Sequence, residues 1–233
     1  MNTKRFISMA FILVLAFALT VCGSSGYAGG GSAASPAPGP LTADFIALLA
    51  GRNYYIKLQV ADIFTGDAQS DIGIPPIPSD WAIKWHRVET ARQDDLYAWI
   101  RRFSTDKKNE PSQHTIDKGD KKYGINHMFK NINVWELPTS SADDSRDFFP
   151  VSRMCFIESG MGSVNGVPIP YEDYTRTETT VWRFYVNGGN VEYCMRIKSD
   201  GTVMDLFTLM EISRNVPSRV FEMPASYTCE QID

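Results

Sequence analysis

The stretch Thr180–Tyr227, TVWRFYVNGGNVEYCMRIKSDGTVMDLFTLMEISRNVPSRVFEMPASY, decides how this chain is read. Three runs rich in β-branched and aromatic residues are separated by Asn187-Gly188-Gly189-Asn190 and by Ser199-Asp200-Gly201. Asn-Gly and Asp-Gly tolerate the positive φ of tight hairpins, so the runs predict strands joined by short turns. In the first run Val181, Arg183 and Tyr185 alternate with Trp182, Phe184 and Val186. A period of two gives a strand two faces, here one with a basic centre. The last run, Val203–Ile212, leads into Val216-Pro217, Phe221 and Met223-Pro224. The stretch therefore predicts a three-stranded antiparallel meander closed by a short plugged end.

Upstream, the same alternation recurs in Asn53–Phe64, Trp81–Val88 and Leu96–Phe103. Gln113–Asp117 and Lys122–Asn126 flank a Lys118-Gly119-Asp120 turn, and Ser152–Glu158 reads as a strand broken by Gly160-Met161-Gly162. Val164–Tyr174 follows, while Met128–Pro138 fits either helix or strand and Ser140–Arg146 is polar loop or short helix. Leu41–Gly51 predicts a helix, with Thr42 as its cap, Phe45, Ile46, Leu48 and Leu49 as its apolar face and Gly51 as its end. Pro75, Pro76 and Pro78 keep Thr65–Asp80 out of regular pairing. About nine strands with little helix, linked by short turns, favour a mainly β fold. The form expected is one large curved antiparallel sheet or an incomplete β-barrel, not a parallel α/β sheet.

The amino terminus has a different character. Lys4 and Arg5 precede an apolar run, Phe6–Val21, that is shorter than a membrane span needs and has the layout of a secretory signal. It ends in Leu19-Thr20-Val21-Cys22-Gly23-Ser24. This resembles the lipobox of bacterial lipoproteins, which implies cleavage before Cys22 and acylation there by diacylglyceryl and palmitate-type chains. Lipoboxes usually carry Gly, Ala or Ser before the cysteine, where this chain has Val21. Ordinary cleavage after Ala28, giving a secreted chain, is the alternative. Residues 22–40, nearly all Gly, Ser, Ala and Pro, cannot bury enough apolar area to offset their ordering entropy and read as a tether. A single domain is expected over 41–233, long enough for a sizeable core.

The whole chain carries a formal charge of −4, and removing residues 1–21 takes away Lys4 and Arg5 and no acids, which makes it −6. A mildly acidic chain without a dense basic stripe argues against nucleic acid as a partner. The one basic cluster, Arg101, Arg102, Lys107, Lys108, Lys118, Lys121 and Lys122, is interspersed with acids and fits a solvated hairpin rim better than a phosphate patch. With Cys22 acylated, three cysteines remain. One pair and one buried thiol is the simplest outcome, and Cys194 with Cys229 is the expected pair, pinning the tail.

A family resemblance rests on the second half. Asp120-Lys121-Lys122-Tyr123-Gly124-Ile125, Gly162–Tyr174 with its Val164-Asn165-Gly166-Val167 core, Trp182–Val186 and the ending Ile212–Tyr227 resemble the LolA/LppX-like group of outer-membrane lipoprotein carrier-like proteins. The likeness is one of sequence style, not of a catalytic signature. It implies an incomplete β-barrel closed by a covering helix, here Leu41–Ala50, over an apolar cavity for acyl chains.

Chemistry is harder to find. His86, His114 and His127 lie at no metal-binding spacing, and no Cys-x-x-Cys, nucleophile elbow or phosphate loop occurs. Asp62, Asp67 and Asp71 miss the spacing of a calcium loop, and Glu158, Glu172, Asp173 and Glu178 read as turn and strand-edge charges. The aromatic content, 12% of the chain, is the better clue. Trp81, Trp85, Tyr97, Trp99 and Trp182 are the candidates to line a cavity. The expectation is a non-catalytic, membrane-anchored envelope lipoprotein that takes a lipid or another hydrophobic small molecule and needs no cofactor or metal. An envelope structural or sensory protein that binds another protein is the alternative, and a hydrolase is the third reading. If the lipobox reading holds, mass spectrometry of the mature chain finds Cys22 first and acylated, and globomycin blocks that processing; a chain starting at Gly29 supports ordinary secretion.

Overall fold

The computed structural model describes residues 38–61, 85–103, 111, 113–137, 147–177 and 179–232. All lie in the compact unit Ala34–Asp233. The fold is mainly β. Twelve strands form one open sheet: β1 Asn53–Ala61, β2 Trp85–Gln93, β3 Leu96–Phe103, β4 Gln113–Lys118, β5 Lys121–Asn126, β6 Asn131–Glu136, β7 Cys155–Val164, β8 Val167–Thr177, β9 Thr180–Asn187, β10 Asn190–Lys198, β11 Val203–Ser213 and β12 Thr228–Gln231. The single described α-helix is α1, Ala43–Ala50. The spatial order is β12-β6-β5-β4-β3-β2-β1-β11-β10-β9-β8-β7. Two antiparallel meanders, β1–β6 and β7–β11, are thus joined along β1 and β11, and among the described strands β12 alone pairs in parallel, on β6.

Alternation sorts the apolar residues onto two faces. Tyr54, Ile56, Leu58 and Val60 of β1 join Trp182, Phe184, Val186 and Phe207 in the core beneath α1. Their neighbour Tyr55 points the other way, into a cluster with Ile100, Ile116, Ile125 and Val134 that the C-terminal segment covers through Val216, Val220 and Phe221. Tyr185, Met195, Ile197 and Leu206 form a third cluster with Val164 and Ile169. The meander expected over Thr180–Ile212 is β9–β11, and its two faces are the ones the alternation predicts. The order of strands has a consequence for the β6–β7 link. β6 and β7 stand near opposite edges, and in residues 147–154, the described part of this crossing link, Phe148, Phe149, Val151 and Met154 pack with α1 in the first core.

Several local expectations change. Gly160-Met161-Gly162 does not break its strand, because β7 runs through it. A Cβ at Gly160 would lie 2.5 Å from the Tyr171 ring and one at Gly162 2.7 Å from the Tyr185 ring, so these glycines admit aromatic rings across the strand. The ambiguous Met128–Pro138 contains β6, with Met128 and Phe129 in the preceding turn. Cys194 and Cys229 are free thiols, one buried and one exposed. β10 and β12 stand eight places apart in the sheet order, and adjacent strands are roughly 4.8 Å apart, whereas a disulfide needs Cα atoms within about 7 Å.

Thr42 occupies the N-cap position of α1, but its side chain makes no capping bond to the helix. Glu172 of β8, with no exposed surface, does this instead. Its carboxylate accepts from the Leu41 N–H at 2.9 Å, the Thr42 N–H at 3.0 Å and the Thr42 hydroxyl at 2.8 Å. The Tyr174 hydroxyl donates to it at 3.2 Å and accepts from the Gly39 N–H at 2.7 Å. A buried carboxylate is tolerated because it meets several donors at the positive end of a helix. Glu172 and Asp173, read from sequence as edge charges, are therefore interior anchors. Glu172→Ala would leave these donors unsatisfied and is expected to lower unfolding stability by about 3–5 kcal/mol in urea titrations. Gly39→Ala, which drives a methyl into the same carboxylate, should destabilise in the same direction.

Candidate functional site

A cavity of about 390 Å³ lies on the α1 side of the sheet, where the two meanders meet. Val60 of β1, His86 and Val88 of β2 and Trp99 and Arg101 of β3 form one wall; Trp182, Arg196, Asp205 and Phe207 of β9–β11 form the other. Asp147, Phe148 and Pro150 of the crossing link close the space. Each strand residue reaches it by the period-two rule: Trp99 and Arg101 share one face of β3, as Asp205 and Phe207 share one face of β11.

The aromatic wall is ordered by ring contacts. Trp182 stacks on Phe207 with centroids 5.9 Å apart, and Phe148 meets Phe207 edge-on at 5.3 Å. Phe149, just behind, contacts Trp182 at 5.6 Å. The Arg196 guanidinium lies 5.9 Å from the Trp182 centroid, within range of a cation–π attraction, and is ion-paired with Asp205. Arg101 sits over the Phe103 ring at 4.5 Å, and its guanidinium is 3.4 Å from His86 Nδ1.

Asp147 holds the link in place. Both its oxygens accept from Arg92 Nη1 at 2.9 Å, and the Tyr54 hydroxyl donates to it at 3.0 Å. Arg92 is 2% exposed, so this ion pair works in a low dielectric. Burial, reinforced by the Asp147 charge, pushes the Tyr54 hydroxyl far above its ordinary value. Asp147 also borders a second space, a groove of about 450 Å³ beside α1 lined by Ile46, Ala47, Ala50 and Val151. The helix itself is not raised over a void: Phe45, Leu48 and Leu49 are packed into the core. Open space lies beside α1 and beyond the crossing link.

Of the five aromatic residues expected to line a cavity, Trp99 and Trp182 do so. Tyr97 is buried, is not part of the lining, and accepts the Thr90 hydroxyl at 3.1 Å. Trp81 and the side chain of Trp85 lie outside the described residues, as does Cys22. Phe148, Phe207, Arg196 and Asp205 are the lining residues sequence reasoning passed over. Phe148-Phe149-Pro150 was the available signal, two aromatics after the polar run Ser140–Asp147.

No protein-family model matches the chain, and no curated protein matches it in sequence. Several solved structures align with it. An uncharacterised conserved protein from Thermus thermophilus aligns over 82% of this chain and 99% of its own, with 9% identity and a TM-score of 0.44. MucB in the MucA/MucB complex of Pseudomonas aeruginosa aligns over 81% of this chain and 64% of its own, at 11% identity and 0.38. A putative outer membrane lipoprotein-sorting protein domain from Vibrio parahaemolyticus aligns over 72% and 91%, at 6% identity and 0.34. Superpositions this loose carry over neither a family nor a ligand, and the site must be judged on its own side chains.

The Asp147 anchor makes a quantitative claim. Asp147→Leu leaves Arg92 buried without its counter-charge and should cost about 3–5 kcal/mol, whereas the Arg92→Leu/Asp147→Leu pair should cost markedly less than the single change. Chemical denaturation of the three proteins measures the difference.

Proposed function

We propose that this chain is a non-catalytic binding protein of the bacterial cell envelope that holds a compact hydrophobic or amphiphilic molecule in the cavity between the meanders. The observation that carries the reading is the convergence of Trp99, Phe148, Trp182 and Phe207 on one space of about 390 Å³. That volume is at the small end of the range for ligand sites, and apolar walls with a few charged groups at fixed places suit an amphiphile. Apolar burial supplies the affinity, at about 25 cal/mol per Å² before association costs.

A binding role is supported by the described lining residues, among which no Ser, Thr, Cys or Lys stands as a nucleophile and His86 lies 3.4 Å from the Arg101 guanidinium. Asp147 is engaged by Arg92 and Asp205 by Arg196, so each carboxylate already serves an ion pair. Anchoring would come from acylation of Cys22, with the Gly/Ser/Pro stretch that follows as the tether. One observation favours the protein-binding alternative: Met128 and Phe129, 80% and 73% exposed, stand at the β5–β6 turn.

Delipidated protein should take up a fluorescent acyl-chain probe saturably, with a change in tryptophan emission as Trp99 and Trp182 are covered. Trp99→Ala, on the half-buried wall, should weaken that uptake by roughly 10- to 100-fold, the equivalent of one large apolar side chain. Absence of uptake by the folded, delipidated protein refutes the reading.

A further inference from the structure

The back face of the sheet, opposite the cavity, carries an arrangement that the binding function does not use. The C-terminal strap Val216–Tyr227 lies over the apolar patch of β3–β6, with Val220 1% exposed among Ile100, Ile116, Ile125 and Ile132. Two histidines stand where the strap meets the sheet. His114 of β4 is buried, and its Nε2 is 2.9 Å from the Val220 carbonyl oxygen. His127, in the β5–β6 turn, stacks on it with centroids 5.7 Å apart and planes within 9°. His127 Nε2 is 3.5 Å from His114 Nδ1, and His127 Nδ1 is 3.1 Å from the Tyr227 hydroxyl.

The partners fix the protons. A carbonyl can only accept, so His114 Nε2 carries a hydrogen and donates to Val220. In the neutral ring His114 Nδ1 is then an acceptor, and His127 Nε2–H donates to it. His127 Nδ1 in turn accepts from the Tyr227 hydroxyl. The run Tyr227 to His127 to His114 to Val220 is complete when both imidazoles are neutral. One added proton on His127 Nδ1 is accommodated by turning the Tyr227 hydroxyl round. A second proton, on His114 Nδ1, is not, because with His127 already charged it faces the N–H of His127 Nε2 and sets two cations in contact.

We infer that this two-histidine chain is an acid-sensitive latch, which holds the strap Val220–Tyr227 on the sheet near neutral pH and releases it on acidification, uncovering the apolar back face. The charged neighbours of His114 act in opposite directions: Arg102 of β3 disfavours a charge on it, and Glu89 of β2, held by Arg102 and by Arg219 of the strap, favours one by less. Burial lowers His114 most; Val220 pulls the other way, and His127 and Arg102 add to the fall, leaving it at about 4 against an ordinary 6.5. A histidine lowered in the closed state takes up its proton more readily once released. The latch is therefore intact above about pH 6.5 and loses its hold as pH falls toward 4. Burial alone would raise Glu89, but the Tyr55 hydroxyl and Arg219 more than offset it and keep it below the usual carboxylate range. The Arg219–Glu89 pair thus stays charged over the same window, and β12 remains on β6, so opening is confined to the middle of the strap.

Amide hydrogen exchange on the full chain tests this, read as protection factors to remove the intrinsic pH dependence. Protection of the Val220–Tyr227 amides should fall at least about tenfold between pH 7 and pH 4.5 relative to those of β10. His114→Gln keeps an N–H donor for the Val220 carbonyl but cannot take a proton, and should flatten that response. A histidine titration by NMR on the unaltered protein gives a second readout: His114 should titrate well below 6.5, with its Nε2 protonated at neutral pH. Constant strap protection in the unaltered protein, or a His114 titrating at its ordinary value, overturns the latch, as does an undiminished response in His114→Gln.

Discussion

The grip of Glu172 on Leu41 and Thr42 is the contact on which the arrangement of this fold depends. It spans about 130 residues of sequence and fixes the start of α1 against β8. An eight-residue helix is far too short to persist alone in water, so its existence depends on docking. Once docked, Phe45, Leu48 and Leu49 enter the core, and the crossing link packs alongside them. The cavity exists because that layer covers only part of the sheet face.

Buried ion pairs recur elsewhere, both between neighbouring strands and where distant segments meet. Asp173 and Arg183 face each other on β8 and β9 in a two-pronged pair, with both bonds at 2.7 Å and the guanidinium 3.7 Å from the Tyr171 centroid. Burial alone would lower Arg183, but Asp173 raises it above the ordinary arginine value. Asp147 with Arg92 fixes the crossing link, and Glu89 with Arg219 fixes the strap. Such pairs contribute little net stability against an apolar substitute, yet losing one partner is costly, so they specify placement more than they add energy. Apolar clusters make the sheet cohere; buried ion pairs decide where its coverings lie.

How far the site was legible follows from this division. Trp99 and Trp182 were visible because each sits on a strand whose alternation names its face. Phe207 followed the same rule but stood in a run, Val203–Ile212, whose faces alternate less cleanly. Asp147 and Phe148 belong to a link without periodicity, and no local pattern shows that it crosses the sheet. Glu172 and Asp173 look like edge charges because a carboxylate in a strand is usually solvated, and their partners, at residues 41–42 and 183, are not adjacent in sequence. Cys194 and Cys229 were paired on the argument that a loose tail needs a staple. The parallel pairing of β12 with β6 holds the tail instead.

By itself, the sequence determined the mainly β class, the β9–β11 meander with its turns, the two faces of those strands and a helix within Leu41–Gly51, observed at Ala43–Ala50. These follow from turn chemistry and from side-chain periods of two and 3.6, which act over a few residues. The tertiary structure alone decided the order of strands, the path of the crossing link, the burial of Glu172 and Asp173, and the meeting of His114 with His127 and the strap. Those outcomes depend on which distant segments approach one another, and long-range contact is set by the packing of the whole sheet. The meander that first identified the fold supplies Trp182, Arg196, Asp205 and Phe207 to the cavity; what completes the site is a link whose route no local rule describes.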